Sequence, residues 1–197
     1  IVGIELSSNN IQIIGFEIIG NENTTSGITI RPNSYEIHIY DNVIHGMAHP
    51  HTEEEPFSYG ILCYGTSPQE LAQNLNFINN DIYNITGVGI AMGEYLADVQ
   101  ISENYIHDLN PVEFLGHPIS FAVGAELTDG LTVQNNIFEN LYIGSNILTS
   151  EGALSGNSYQ DIDIMLLTAY SYISFGDIPW FQIEYTLDYD GEEIVTT

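Results

Sequence analysis

Histidines and acidic residues occur together in two segments of the chain, and this combination can bind a transition metal. The first segment holds three histidines followed by three glutamates, and the second holds two histidines with acidic residues between them. The candidate ligands are His45, His49, His51, His107 and His117. Imidazole and carboxylate groups are ligands of Zn²⁺, so a zinc-like site is one interpretation. Solvated loop histidines without a ligand are the alternative.

Carboxylates at alternate positions near the C-terminus are typical of a Ca²⁺-binding loop. Asp188, Asp190 and Glu192 surround Gly191. Ca²⁺ prefers oxygen ligands, although the full twelve-residue calcium-loop pattern is lacking. An acidic surface turn is the alternative interpretation.

The charge balance excludes several classes of partner. The chain of 197 residues has 27 acidic residues and one cation, Arg31, for a formal net charge of −26. Nucleic acids and anionic membrane surfaces need clusters of Lys and Arg, so neither is expected as a partner. No apolar run is long enough to cross a bilayer, so we expect no membrane insertion. The remaining polar residues are mainly neutral, which favours an exposed extracellular protein.

Single residues and short motifs add weaker expectations. Cys63 is the only cysteine and has apolar neighbours, which predicts a buried structural thiol. Asn23-Thr24-Thr25 and Asn84-Ile85-Thr86 are N-glycosylation sequons in predicted turns. The chain opens at Ile1, inside a predicted strand, so we expect a processed product or a fragment.

Six segments share one pattern of apolar and polar positions. In each, two apolar residues enclose an outward-facing polar residue, and a third apolar residue follows five positions later. The segments begin at Ile11, Ile37, Leu75, Val99, Leu131 and, more weakly, Gly152. Spacing by two is typical of a strand with one buried face, and the five-residue step predicts a corner.

The repeat predicts a stack of at least six coils, each with two or three short strands. The core positions expected to form one interior stack are Ile13, Ile39, Phe77, Ile101, Val133 and Leu154. A further strand, opened by glycine, precedes the segments at Gly3, Gly27, Gly60, Gly89 and, less strictly, Gly124. His45 and His107 occupy equivalent positions two coils apart, and each opens an inserted loop, at 46–59 and 108–123.

An asparagine stands at the predicted corner of five segments. The column is Asn42, Asn80, Asn104, Asn136 and Asn157. We expect these residues to adopt the left-handed conformation that a tight corner needs, and their amides to bond along the stack.

These repeats, through the phrase Ile13-Ile14-Gly15-Phe16-Glu17-Ile18 and the asparagine corners, resemble the right-handed parallel β-helix repeat family. This family includes pectate-lyase-like proteins and NosD-like repeats, and the resemblance covers about residues 1–165. It implies an all-β solenoid but no single function, because many functions share this fold. A polysaccharide lyase is disfavoured, since such enzymes need basic groups and this chain has no Lys and one Arg.

The repeat stops after Asp163, which predicts a β-helix over residues 1–163 and a separate segment over 164–197. The C-terminal segment is aromatic, and residues 181–187 alternate as one strand. A cap on the end of the helix and an assembly arm toward a neighbouring copy are both open.

The preferred function is a non-enzymatic, extracellular structural or adhesive protein that self-assembles into a surface layer, sheath or filament. Its expected partners are further copies of the chain and neutral glycans. The alternative is a glycan-active hydrolase that uses two carboxylates, but the abundance of acids means that a pair such as Asp161 and Asp163 identifies no site.

Overall fold

The computed structural model describes residues 2–50, 52, 57–114, 117–148, 152–168 and 181–183. These residues form twenty strands and no helix. In the described part of the chain, no helix could therefore span a bilayer.

The strands form three series, and each coil contributes one strand to each series. The first series comprises β1 (Val2–Leu6), β4 (Ser26–Ile30), β7 (Ser58–Cys63), β10 (Gly87–Met92) and β15 (Phe121–Glu126). The second comprises β2 (Ile11–Ile14), β5 (Tyr35–Tyr40), β8 (Ala72–Ile78), β11 (Leu96–Ser102), β16 (Thr128–Gln134), β18 (Gly152–Ser155) and β20 (Phe181–Ile183). The third comprises β3 (Glu17–Ile19), β6 (Val43–His45), β9 (Asp81–Tyr83) and β12 (Tyr105–His107). The first coil is thus β1–β3, the second β4–β6, the third β7–β9 and the fourth β10–β12, and β15 and β16 begin the fifth.

Two longer strands turn the corner from the third series into the first. β17 (Ile137–Leu148) pairs with β12 through its first residues and with β15 through its last ones. β19 (Ser158–Thr168) runs beside β17 over the same length. The predicted boundary at residues 163/164 lies within β19, and most of the predicted C-terminal segment lies outside the described residues. Its role as a cap or assembly arm therefore stays a prediction.

Every pairing between successive coils is parallel and in register, so the strands wind into an all-β parallel β-helix. The predicted interior stack is confirmed, because Ile13 pairs with Ile39, Ile39 with Phe77, and the column continues through Ile101, Val133 and Leu154. All six side chains belong to one buried core. Cys63 is also buried there, and desolvation raises the pKa of its thiol, as expected of a structural cysteine.

The two predicted insertions leave the coil at the same corner. Both lie between a third-series and a first-series strand, after His45 and after His107. The second insertion holds an antiparallel hairpin of β13 (Val112–Phe114) and β14 (His117–Ile119).

The asparagine column forms a continuous hydrogen-bonded ladder inside the corner, as predicted. Each ladder residue is buried to 1% exposure. The Nδ2 group of Asn80, for example, donates to Oδ1 of Asn104 at 3.0 Å and to the Ile39 carbonyl at 2.9 Å. Its Oδ1 accepts from the backbone and side-chain amides of Asn42. Asn80 therefore bonds to both the preceding and the following coil, so that its side chain joins three successive coils.

The prediction that the ladder residues themselves adopt the left-handed conformation is wrong. Positive φ angles occur one residue earlier, at Gly15, Asp41, Asn79, Glu103, Asn135 and Gly156. The residue before the ladder makes the sharp bend, and this bend turns the following asparagine side chain into the interior. Each corner thus needs two adjacent residues: one that adopts a left-handed backbone conformation, and a following asparagine whose side chain joins the ladder.

Glycine is required near the start of the first-series strands because the backbones of neighbouring coils approach closely there. A Cβ on Gly60 would lie 2.6 Å from the Gly89 carbonyl oxygen, and one on Gly89 would lie 2.7 Å from that of Ala122. The next member of this column is therefore Ala122, and the predicted member Gly124 instead pairs with Ala91. The prediction for Gly124 is therefore wrong by two residues, a shift that leaves the in–out alternation unchanged.

Replacing a ladder asparagine should destabilise the coil far more than replacing an outward asparagine on the same coil. Asn80→Ala leaves several buried groups without partners, each costing about 1–3 kcal/mol, so we expect a loss of about 3 kcal/mol or more. Asn76→Ala, where the side chain faces outward, should cost less than about 0.5 kcal/mol. Urea unfolding measures both, and equal losses for the two variants would contradict the ladder's role.

Candidate functional site

The outward face of the third-series strands gathers rings and carboxylates into one patch. In β6, β9 and β12 the central isoleucine points inward, so the residues on either side of it point outward. In-register pairing then aligns His45, Tyr83 and His107 in one column across three coils. We call this patch the histidine face. It comprises Glu17, His45, Asp81, Tyr83, Tyr105, His107, Asp108 and Glu139.

The rings of the histidine face stack on one another along the helix. The ring centroids of His45 and Tyr83 are 4.7 Å apart, and those of Tyr83 and His107 are 5.1 Å apart. Tyr105 lies against His107 from the same strand at 4.0 Å. Both histidine side chains are largely covered, with exposures of 17% and 15%.

His107 lies between the carboxylate of Asp81 on the preceding coil and that of Asp108, the next residue. Its Nε2 is 3.0 Å from Asp81 Oδ1, and its Nδ1 is 2.8 Å from Asp108 Oδ2. An imidazolium donates to both oxygens, whereas a neutral imidazole has a single N–H. The amide of Asn140 and then the His107 ring lower the pKa of Asp108. The arrangement ties the third, fourth and fifth coils together through polar side chains.

Tyr105 and Glu139 form a second link between coils. The phenol of Tyr105 donates a hydrogen bond to Glu139 Oε2. Because ionisation would destroy this donor and place two anions side by side, the pKa of Tyr105 rises to about 12. His45 similarly contacts Glu17 of the preceding coil at 3.2 Å.

This geometry does not favour hydrolysis by the carboxylates of the histidine face. Paired catalytic acids need space between them for a glycosidic bond and, in inverting enzymes, for a water molecule. The imidazole of His107 fills the gap between Asp81 and Asp108. The acidic groups here bond to neighbouring side chains instead of converging on an open cleft.

The single cation is also engaged in contacts between coils. The Arg31 guanidinium is 3.0 Å from Glu5 Oε2, bonds to the Tyr64 hydroxyl, and lies 5.6 Å from the centre of the Tyr64 ring. This contact lowers the pKa of Glu5 and raises that of Arg31. The three residues follow one another on the first three coils, so Arg31 supports the stack near its end.

The predicted metal ligands are only partly brought together. His45 and His107 share one face, but the Tyr83 ring lies between them, so they cannot bind one ion directly. The backbone amide of His49 bonds to Ser58 Oγ, and His117 is exposed on the hairpin. In the described ranges, no three His, Cys, Asp or Glu side chains are placed to hold a metal ion. His51, Asp188, Asp190 and Glu192 lie outside the described residues, so both metal sites stay predictions.

Several residues of the histidine face were not singled out by the sequence pattern. They are Glu17, Asp81, Tyr83, Tyr105 and Glu139. Each lies next to a residue of the third apolar column of the repeat. Because neighbours of a buried strand residue point outward, this position indicates that they share one outer face.

Removing Glu139 should lower the pKa of Tyr105 from about 12 toward the ordinary value of 10.0. Because the folded chain holds this proton more tightly than the unfolded chain, the associated stabilisation is complete below pH about 10 and is lost as the pH rises toward about 12. Carbon-13 tyrosine NMR of Glu139→Ala measures the shift, with Tyr105→Phe assigning the signal. Glu17→Ala, on the same face but against His45, should leave Tyr105 unchanged. An unaltered Tyr105 pKa in Glu139→Ala would contradict the described bond.

Comparison with protein-family models agrees with the observed topology. The model described as the right handed beta helix region matches residues 3–159. The comparisons with curated proteins and with solved structures found no match. The matched region covers coils one to five and extends into the sixth, up to β19. The chain therefore belongs to the right-handed β-helix family.

Proposed function

We propose that this chain is an extracellular, non-catalytic structural or adhesive β-helix that assembles end to end with further copies of itself through its first coil. The observation that carries this proposal is the surface that the first coil (β1–β3) presents. It combines strand edges available for pairing with exposed apolar side chains.

Within the described residues, one edge of each first-coil strand has no pairing partner. Among the described residues, β1, β2 and β3 pair only with strands of the second coil, so their other edges face outward. Strand edges of this kind accept a further parallel strand in register. A terminal coil of another copy offers strands of the required direction and spacing.

Exposed apolar side chains are concentrated on the same coil. Ile14, Phe16 and Ile19 are 46%, 58% and 64% exposed, and they make up half of the six large exposed hydrophobic residues described. Phe16 stands at the ladder position, where its backbone amide bonds to Asn42 Oδ1 but its side chain cannot extend the ladder. A covering partner would remove these side chains from water.

The charge distribution favours contact at this end over contact along the sides. Residues 2–20 contain two of the 27 acidic residues, Glu5 and Glu17, and Glu5 is paired with Arg31. The remaining acids of the described residues lie on later coils, where like charges oppose side-by-side association. Salt screens such repulsion beyond about 10 Å at 0.1 M.

The histidine face supports a structural role in a different way. Its ionisable groups bond to one another across successive coils, and these bonds stiffen the β-helix. Its carboxylates are therefore engaged in contacts between coils and are not arranged for catalysis. The neutral polar composition of the remaining surface fits an exposed, extracellular setting.

Placing a charge on the first coil should dissociate the assembly. The wild-type chain should show a mass above 21.9 kDa that rises with concentration in moderate salt with Ca²⁺, as measured by light scattering. Phe16→Glu should shift the mass toward a single chain. The matched control is Ile137→Glu, where a residue of similar exposure lies on the side of the coil, and this variant should assemble normally.

Circular dichroism melting shows whether each variant is folded. We expect both variants to fold, because both side chains are exposed. A wild-type chain that remains at 21.9 kDa under all these conditions would overturn the proposal. Equal dissociation by both substitutions would place the contact elsewhere than the first coil.

A further inference from the structure

We propose that Asn84 carries an N-linked glycan. This inference rests on the extracellular setting of the proposed function but not on end-to-end assembly. The motif is Asn84-Ile85-Thr86, which has the sequence that N-glycosylation requires, with a residue other than proline in the middle.

The fold presents Asn84 outward and anchors the residues around it. Asn84 follows β9 at a corner, is exposed, and has a left-handed φ of 51°. Ile85 is completely buried, and the backbone amide of Thr86 bonds to the Met47 carbonyl at 2.9 Å. The chain on both sides of the asparagine is thus held in the coil while the side chain points away from it.

The hydrogen bond described for the Asn84 side chain is compatible with the modification. Its Oδ1 accepts from the Nδ2 group of Asn110 at 3.1 Å. In the transfer reaction, Nδ2 forms a bond to the anomeric carbon of the sugar. The bond from that carbon to a lipid-linked pyrophosphate breaks, the amide loses one proton, and the lipid pyrophosphate leaves. Oδ1 is untouched, so the contact with Asn110 remains.

The ladder asparagines provide a contrast within the same chain. Asn80 and Asn104 each use Nδ2 for bonds to a neighbouring ladder oxygen and to buried carbonyls, so a sugar at this atom would destroy the corner. Asn84 is only four residues from Asn80, at the other end of β9, yet Asn84 is exposed whereas Asn80 is buried. The fold therefore separates asparagines that must stay unmodified from one that can accept a glycan.

The position also suits a protective role for the sugar. The corner at 84–86 is short, whereas the coils before and after it carry insertions at 46–57 and 108–120. A glycan at Asn84 would emerge beside the histidine face, two coils from the first coil. It would shield the side of the rod without covering the proposed assembly end.

Peptide mass spectrometry of the protein isolated from its native source tests the proposal. Chymotrypsin cleavage after Tyr83 and Met92 yields residues 84–92, which should carry a mass increment made of sugar units. Two variants expressed in the native host sharpen the test. Thr86→Val removes the hydroxyl while keeping the shape, and should abolish the increment, whereas Thr86→Ser keeps the sequon and should retain it.

A peptide 84–92 found only at its unmodified mass in the wild-type protein would overturn the proposal, whether or not the variants fold. The same digest covers the other sequon at Asn23, which is exposed between β3 and β4. Sugar on Asn23 with an unmodified Asn84 would show an extracellular setting and still refute the assignment of Asn84. Light scattering of the same sample reports assembly separately, so the two proposals fail independently.

Discussion

The rest of the structure depends on the hydrogen-bonded ladder of five buried asparagines. Buried amides are costly unless each donor and acceptor is paired, and the ladder pairs them by repeating the same residue at each turn. The Oδ1 atom of one residue accepts from the preceding coil, and Nδ2 donates both forward to the next coil and back to a carbonyl. A change of register anywhere along the stack would break several of these bonds at once. The ladder therefore holds the coils at one spacing and one register.

A fixed register determines which surface residues meet. His45, Tyr83 and His107 are far apart in sequence, yet they stack because the third-series strands pair residue for residue. The same register brings Tyr105 to Glu139 and Asp81 to His107. The side of the solenoid thus acquires polar links between coils.

The repeating parts of the molecule could be predicted from the sequence, and the parts that depend on exact alignment could not. Ile39, Phe77 and Asn80 were identified because their spacing repeats and their burial follows from alternation. The alternation predicts the wrong column for Gly124, because a shift of two residues preserves it. The sequence predicts the left-handed bend at Asn42, but the bend occurs at Asp41, because asparagine favours both a bend and a ladder. The Tyr83 ring between the two histidines was missed, because predicting which outward neighbours meet requires the register after each insertion.

The side-chain amides of the ladder offer the most direct measurement of the central claim. In four ladder residues, Asn42, Asn80, Asn104 and Asn136, Nδ2 makes at least two buried hydrogen bonds. Hydrogen exchange of a chain labelled with nitrogen-15 asparagine, followed by NMR, reports each side-chain amide separately. The account predicts that these four amide groups exchange orders of magnitude more slowly than the amide of exposed Asn110. Uniformly rapid exchange of all asparagine side chains in the folded protein would contradict it.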